Sequence, residues 1–210
     1  MRVITGKAKG RHLYSVPGDS TRPVTDRVKE ALFSILAAQV IDARFLDLFA
    51  GTGGVGIEAL SRGATLATFV ENNPRALSVM RRNLEITGLA QHAQVVKQDV
   101  FRFIAEYQGA GFDLIHVAPP QYRSLWMRTL EALDRSLLLS PTAQVVAQIH
   151  PKEYIPLELA LLSLSDQRKY GSTLLCFYRV GTHQQSAAPY EKPGLQPDVQ
   201  PPAPSGESLN

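Results

Sequence analysis

The chain has 210 residues, 44% of them hydrophobic and 20% charged, with a formal net charge of +3. That composition suits one globular domain with an appendage and excludes a wholly disordered protein. No apolar run approaches the roughly 18 residues of a membrane span, and the early charges Arg2, Lys7, Lys9 and Arg11 leave no signal-peptide core. A soluble, cytoplasmic monomer without a membrane partner is therefore expected. The single Cys176 excludes an internal disulfide, and five scattered histidines without cysteine partners show no zinc spacing, so no metal site is expected.

At the start of the chain, MRVIT and HLYSV flank the Lys/Gly-rich GKAKGR and read as a hairpin or extended arm over residues 1–22. Residues 1–40 carry seven Lys/Arg against three acids, whereas residues 181–210 carry one Lys against three acids. A basic N-terminal segment beside a globular domain suits a polyanion such as RNA; a solvated charged face is the other reading that charge alone allows. The stretch TRPVTDRVKEALFSILAAQ places Val24, Val28, Leu32, Ile35 and Leu36 on one helical face, with Thr25 or Thr21 as N-cap.

Short apolar runs follow at 44–49, 66–70, 94–96, 112–117 and 143–149, separated by amphipathic segments. One of these, NPRALSVMRRNLEITG, has Asn72 or Asn73 as N-cap, Pro74 near the first helical position and Gly88 as a stop. Such alternation predicts βαβ units, hence a Rossmann-like α/β domain over residues 23–180 with a mostly parallel sheet. RKYGSTLLCFYRV, residues 168–180, reads as one last strand closing the sheet edge. Residues 181–210 hold six prolines and few large apolar groups, and are expected to be a disordered tail.

Chemistry enters with DLFAGTGGVGIEAL, where Gly51, Gly53 and Gly56 form a G-x-G-x-x-G between a strand and a helix. Glu71 follows twenty residues after Gly51, at the end of the next strand. This context predicts a nucleotide-type ligand, with backbone approach at the glycines and ribose hydroxyls on the acid; a merely tight turn is the alternative. Asp47 bears on which nucleotide. A pyrophosphate at a helix N-terminus is repelled by a nearby carboxylate, whereas the ammonium and sulfonium of S-adenosylmethionine are not. Asp47 could instead cap a turn or pair with Arg44. Asp99, ending the third apolar run, could accept from an adenine amino group while Val100 packs on the ring, and could equally cap the next helix.

Read together, these residues resemble a class I S-adenosylmethionine-dependent methyltransferase. More narrowly, MRVITGKAKGRHL, TRPVTDRVKEALFSIL, FLDLFAGTGGVGIEALSRGA, FVENNPRAL and KYGSTLLCFYR resemble the bacterial 16S ribosomal RNA (guanine-N2)-methyltransferase family over about residues 1–180. The resemblance implies a seven-stranded sheet with one antiparallel strand and helices on both faces, plus a small N-terminal extension. It implies S-adenosyl-L-methionine as cofactor and 16S rRNA or the small ribosomal subunit as partner. Asp47, Gly51, Gly53, Glu71, Asp99 and Val100 would form the cofactor site, and Lys7, Lys9, Arg11, Arg22 and Arg27 would contact RNA or close over the cofactor.

The family's substrate motif is Asp or Asn, Pro, Pro, then Tyr or Phe. Guanine N2 is a poor nucleophile because its lone pair is delocalised, so acceptors aimed at its hydrogens must orient it and stabilise developing positive charge. Here the corresponding stretch is Ala118-Pro119-Pro120-Gln121-Tyr122. It departs twice: Ala118 has no side-chain acceptor, and the aromatic is displaced to Tyr122. The expectation is that the Pro119 carbonyl and Gln121 Oε1 serve as acceptors, with Tyr122 or Trp126 stacking on the base; Pro119 and Pro120 stiffen the turn. Two other readings stay open: a catalytically weakened homologue that binds RNA as an assembly factor, and an NAD-dependent oxidoreductase.

Overall fold

In the computed structural model, residues 1–16 and 25–181 are described. Thr21, Arg22, Val24 and nearly all of the predicted tail lie outside that range. Thr25 takes the N-cap position, its hydroxyl accepting from Val28 N–H, and starts α1 (Asp26–Leu36), which buries Val28, Leu32, Phe33 and Leu36. The alternation expected from the apolar runs follows: β1 (Arg44–Leu48), α2 (Gly54–Ser61), β2 (Leu66–Glu71), α3 (Pro74–Thr87), β3 (Ala93–Lys97), α4 (Val100–Glu106), β4 (Phe112–Val117), α5 (Leu125–Leu133), β5 (Leu139–Ile149), β6 (Leu162–Tyr170) and β7 (Thr173–Val180). Asn73 caps α3 through its side chain with Pro74 next, and Gly88 ends the helix at φ +71°.

The strands form one seven-stranded sheet in the order β3-β2-β1-β4-β5-β7-β6. β1 to β5 pair in parallel, and β7 runs antiparallel to both its neighbours. Because the strands are covered on both faces, successive residues alternate between two cores rather than between core and water. Phe45, Phe69, Leu114 and Phe177 pack toward α1, α2 and α3. Leu46, Val70, Ile115 and Cys176 pack toward α4 and α5. No described helix is long and apolar enough to cross a membrane.

One element differs from the sequence reading. Residues 168–180 are not a single edge strand: they comprise the end of β6, a two-residue loop at Gly171-Ser172, and β7. Gly171 adopts φ +60°, which suits a tight hairpin. β7 is therefore internal and β6 forms the edge, so the sheet has one more strand than the apolar runs alone disclosed.

The N-terminal segment is a hairpin-like arm laid on α2. Arg2 and His12 form an antiparallel bridge. Val3, Ala8 and Leu13 are buried in the same core as α1 and α2. Glu58, fully buried on α2, accepts from Ile4 N–H at 2.8 Å and Thr5 N–H at 3.0 Å and pairs with the fully buried Lys29 at 3.2 Å. Lys29 Nζ also donates to the Arg2 carbonyl. At Gly6 the backbone comes so close to α2 that a Cβ would lie 1.7 Å from the Ser61 carbonyl oxygen, so no other residue fits there. Burial lowers the Lys29 pKa below the ordinary 10.5, and the adjoining Glu58 carboxylate opposes that fall.

Candidate active site

The order of strands reverses between β1 and β4: β2 and β3 extend to one side of β1, the remaining strands to the other side of β4. In an open α/β sheet, the crevice at the carboxyl ends of such strands is where ligands bind. Leu48 of β1 pairs with Val117 of β4, and Ala118 N–H donates to the Leu48 carbonyl at 3.5 Å. The glycine loop after β1 and the Pro-Pro loop after β4 therefore leave the sheet side by side. Glu71 ends β2, and Asp99 lies just past β3 on the same edge.

Within the glycine loop, backbone donors are already directed at carboxylates. Gly51 N–H donates to Glu71 Oε2 at 2.8 Å, while Glu71 Oε1 accepts from Asn72 and Asn73 N–H. Gly56 N–H, in the first turn of α2, donates to Asp47 Oδ2 at 3.0 Å. A Cβ on Gly56 would sit 2.3 Å from the Phe69 ring, so glycine is what lets the helix rest this close to the sheet. Phe49 enters the loop at φ +61°, a conformation costly for a bulky side chain and found where surrounding contacts impose it.

Asp47 is placed differently from the expectation that it faces the ligand. It is only 2% exposed, and its second oxygen lies 2.9 Å from His116 Nδ1. It does not pair with Arg44, whose guanidinium instead donates to the Gly111 carbonyl while its backbone N–H donates to the Asp113 carboxylate. Asp47 thus stands behind the loop and joins β1, α2 and β4. Asp99 is exposed and caps α4, one oxygen accepting from both Phe101 and Arg102 N–H; Val100 beside it is buried. Asp99 thus serves as the helix cap, at a position on the edge of the cleft.

Along the Pro-Pro loop after β4, Pro119 is buried while Pro120 and Gln121 are exposed. Tyr122 is 68% exposed and adopts φ +61°, and Ser124 follows at φ +53°. Each such non-glycine residue costs on the order of 1–3 kcal/mol. Trp126 is 1% exposed in the core, stacked on Tyr154 at 6.2 Å, and so is unavailable to a base; of the two aromatics considered, only Tyr122 faces solvent. Lys7, Lys9, Arg11 and Arg27 are exposed and make no ion pair with the other described residues, and Arg22 lies outside the described range.

Several residues at the site carried no signal in the sequence. His116 grips Asp47, and its Nε2 has no hydrogen-bond partner among the described residues. Asn83, fully buried on α3, accepts from Tyr14 N–H and donates to the Tyr14 and Thr52 carbonyls, coupling the arm to the glycine loop. Glu153 accepts from Tyr122 N–H at 2.6 Å, and the His150 ring lies 5.6 Å from that of Tyr122. A side chain that acts through a partner 31 to 69 positions away leaves no local pattern.

A parallel sheet with this strand order, one antiparallel strand, a glycine loop after β1 and an acid ending β2 define the α/β fold of class I S-adenosylmethionine-dependent methyltransferases. More narrowly, the family model described as "Conserved hypothetical protein 95" matches residues 1–179, and the chain belongs to that family. Ribosomal RNA small subunit methyltransferase D of Escherichia coli (strain K12) is 33% identical over 188 residues, spanning 90% of this chain and 94% of its own length. The solved E. coli protein yhhF superposes with a TM-score of 0.76 at 34% identity, covering 86% of this chain and 97% of its own. An RNA methyltransferase from Salinibacter ruber, solved in complex with S-adenosyl-L-homocysteine, is similar in fold alone, with a TM-score of 0.60 at 15% identity.

Proposed function

We propose that this chain is an rRNA methyltransferase that moves a methyl group from S-adenosyl-L-methionine to the exocyclic N2 of a guanine in 16S rRNA of the small ribosomal subunit. The observation that carries the reading is the convergence of the glycine loop and the Pro-Pro loop at the β1/β4 reversal, in a chain belonging to a family whose E. coli relative bears that rRNA name. The donor set suits a ligand with ribose hydroxyls and a cationic end. A pyrophosphate would face the Glu71 carboxylate where it needs free N–H groups, since Gly51 N–H already donates to that carboxylate. This weighs against a nicotinamide dinucleotide.

In this reading Glu71 turns from Gly51 N–H to the ribose hydroxyls, Asp99 and Val100 hold the adenine, and the backbone at Gly51 and Gly53 admits the amino-acid end. Asp47 acts from behind, fixing the loop. S-adenosylmethionine, when bound, supplies an electrophilic methyl on a sulfonium whose sulfur keeps the bonding electrons as the methyl leaves. The Pro119 carbonyl and Gln121 Oε1 would accept from the two N2 hydrogens, orienting the nitrogen lone pair and stabilising the positive charge that grows on it. The proton then released from nitrogen passes to water. Tyr122 would stack on the extruded base, and Lys7, Lys9, Arg11, Arg22 and Arg27 would meet the phosphate backbone.

A second reading, a catalytically weakened RNA-binding assembly factor, draws on Ala118, whose methyl group accepts nothing. Incubation with methyl-labelled S-adenosylmethionine and small subunits lacking the modification separates the two. Label in the RNA supports the enzyme; tight RNA binding without transfer supports the assembly factor.

A further inference from the structure

We propose that Glu153 is a positioning residue for the substrate loop, holding Tyr122 in its left-handed conformation so that the ring stands on His150 as a platform for a planar base. The inference rests on the methyltransferase reading of the same site and adds residues which that reading does not use. Pro151–Glu153 form a single 3-10 turn directly after β5. His150 caps it through Nδ1, which accepts from Lys152 N–H at 3.1 Å. Glu153 closes the reciprocal half of the capping box, Oε2 accepting from His150 N–H at 3.3 Å. Its other oxygen is not spent within the turn. Oε1 crosses to the neighbouring loop and accepts from Tyr122 N–H at 2.6 Å.

That bond falls on the residue whose backbone needs restraint. Tyr122 and Ser124 both lie at positive φ without being glycine, so the loop keeps this shape only where another group over-determines it. A charge-assisted bond to a carboxylate fixed at its other oxygen is such a group. Its consequence is directional: with the backbone at φ +61°, the Tyr122 ring tilts over the His150 ring at 5.6 Å and 41° while remaining 68% exposed. One side of the ring thus rests on the protein and the rest is open to solvent at the carboxyl end of β4, where the acceptor base must come. Base–aromatic stacking needs a ring held in place beforehand, and a misplacement of about 1 Å near reacting atoms costs on the order of 10²-fold in rate.

The test compares wild type, Glu153→Gln and Glu153→Ala by hydrogen exchange across residues 118–125, by methyl transfer to unmodified small subunits, and by calorimetry with S-adenosylhomocysteine. The expected result is a Tyr122 amide protected in wild type, released in Glu153→Ala and partly retained in Glu153→Gln, which keeps one acceptor oxygen. Turnover should fall about 10- to 100-fold in Glu153→Ala and much less in Glu153→Gln, with cofactor affinity unchanged within about twofold. Equal exchange in wild type and Glu153→Ala overturns the proposal, as does an unchanged turnover with the loop released. A wild type that transfers no methyl sinks the methyltransferase reading instead, and the exchange comparison still decides whether Glu153 holds the loop.

Discussion

Replacing Asp47 with alanine removes both acceptors at the junction of β1, α2 and β4. Gly56 N–H and His116 Nδ1 are then left without partners in a site where Asp47 itself is 2% exposed. Each buried polar group so abandoned costs about 1–3 kcal/mol, so the variant should lose roughly 2–6 kcal/mol of stability, less whatever is regained by no longer burying a carboxylate. Asp47→Asn keeps one oxygen for Gly56 and can face His116 with its amide if the imidazole changes tautomer, so a smaller loss, about 1–2 kcal/mol, is expected. The assay is urea unfolding of Asp47→Asn, His116→Leu and the double variant, with S-adenosylmethionine affinity measured on each by calorimetry. If the carboxylate braces the loop, the two changes couple by at least about 1 kcal/mol, and cofactor affinity falls along with stability. Additive stabilities, or a loss of affinity confined to Asp47 variants of full stability, would refute the bracing role and return Asp47 to direct ligand contact.

Other consequences follow from the same geometry. Glu58→Ala leaves the Lys29 ammonium buried without its partner and frees two arm N–H groups, so stability should drop by about 3–5 kcal/mol with early proteolysis within residues 1–16; a well-folded variant with a protected arm would contradict this. Cys176 is buried, and burial pushes its thiol from the ordinary 9.0 up to about 12. The unfolded chain therefore gives up that proton first, so this group's contribution is intact below pH 9 and is lost as pH rises from about 9 toward 12. A thiol reagent at pH 8 should react only at the unfolding rate, and fast labelling of native protein would disprove the burial. Gln121→Ala should lower turnover by about 10²- to 10³-fold with RNA affinity nearly unchanged, and an unaltered rate would show that Gln121 is not the second acceptor.

How far the sequence disclosed these features depended on how local each signal was. The glycine loop, Glu71 and the caps at Asn73 and Asp99 are read from neighbours a few residues apart, and the structure puts all of them at one edge of the sheet. β6 escaped because its polar Ser163, Ser165, Asp166 and Gln167 dilute the apolar signal on an edge strand paired on one side only. The side-chain braces were invisible for a different reason. His116, Glu58, Asn83 and Glu153 look like ordinary polar residues, and their partners are set by the folding of distant segments against each other. Asp47 shows the same limit from the other side: its identity and position were legible, but its direction was fixed by His116 on a strand 69 residues away.

The measurement that bears most directly on the central claim is nucleoside mass spectrometry of small-subunit rRNA after incubation with this protein and methyl-labelled S-adenosylmethionine. The account predicts label on the exocyclic N2 of a single guanine in 16S rRNA. Label on a ring nitrogen, on a ribose hydroxyl or on no nucleoside at all would contradict it.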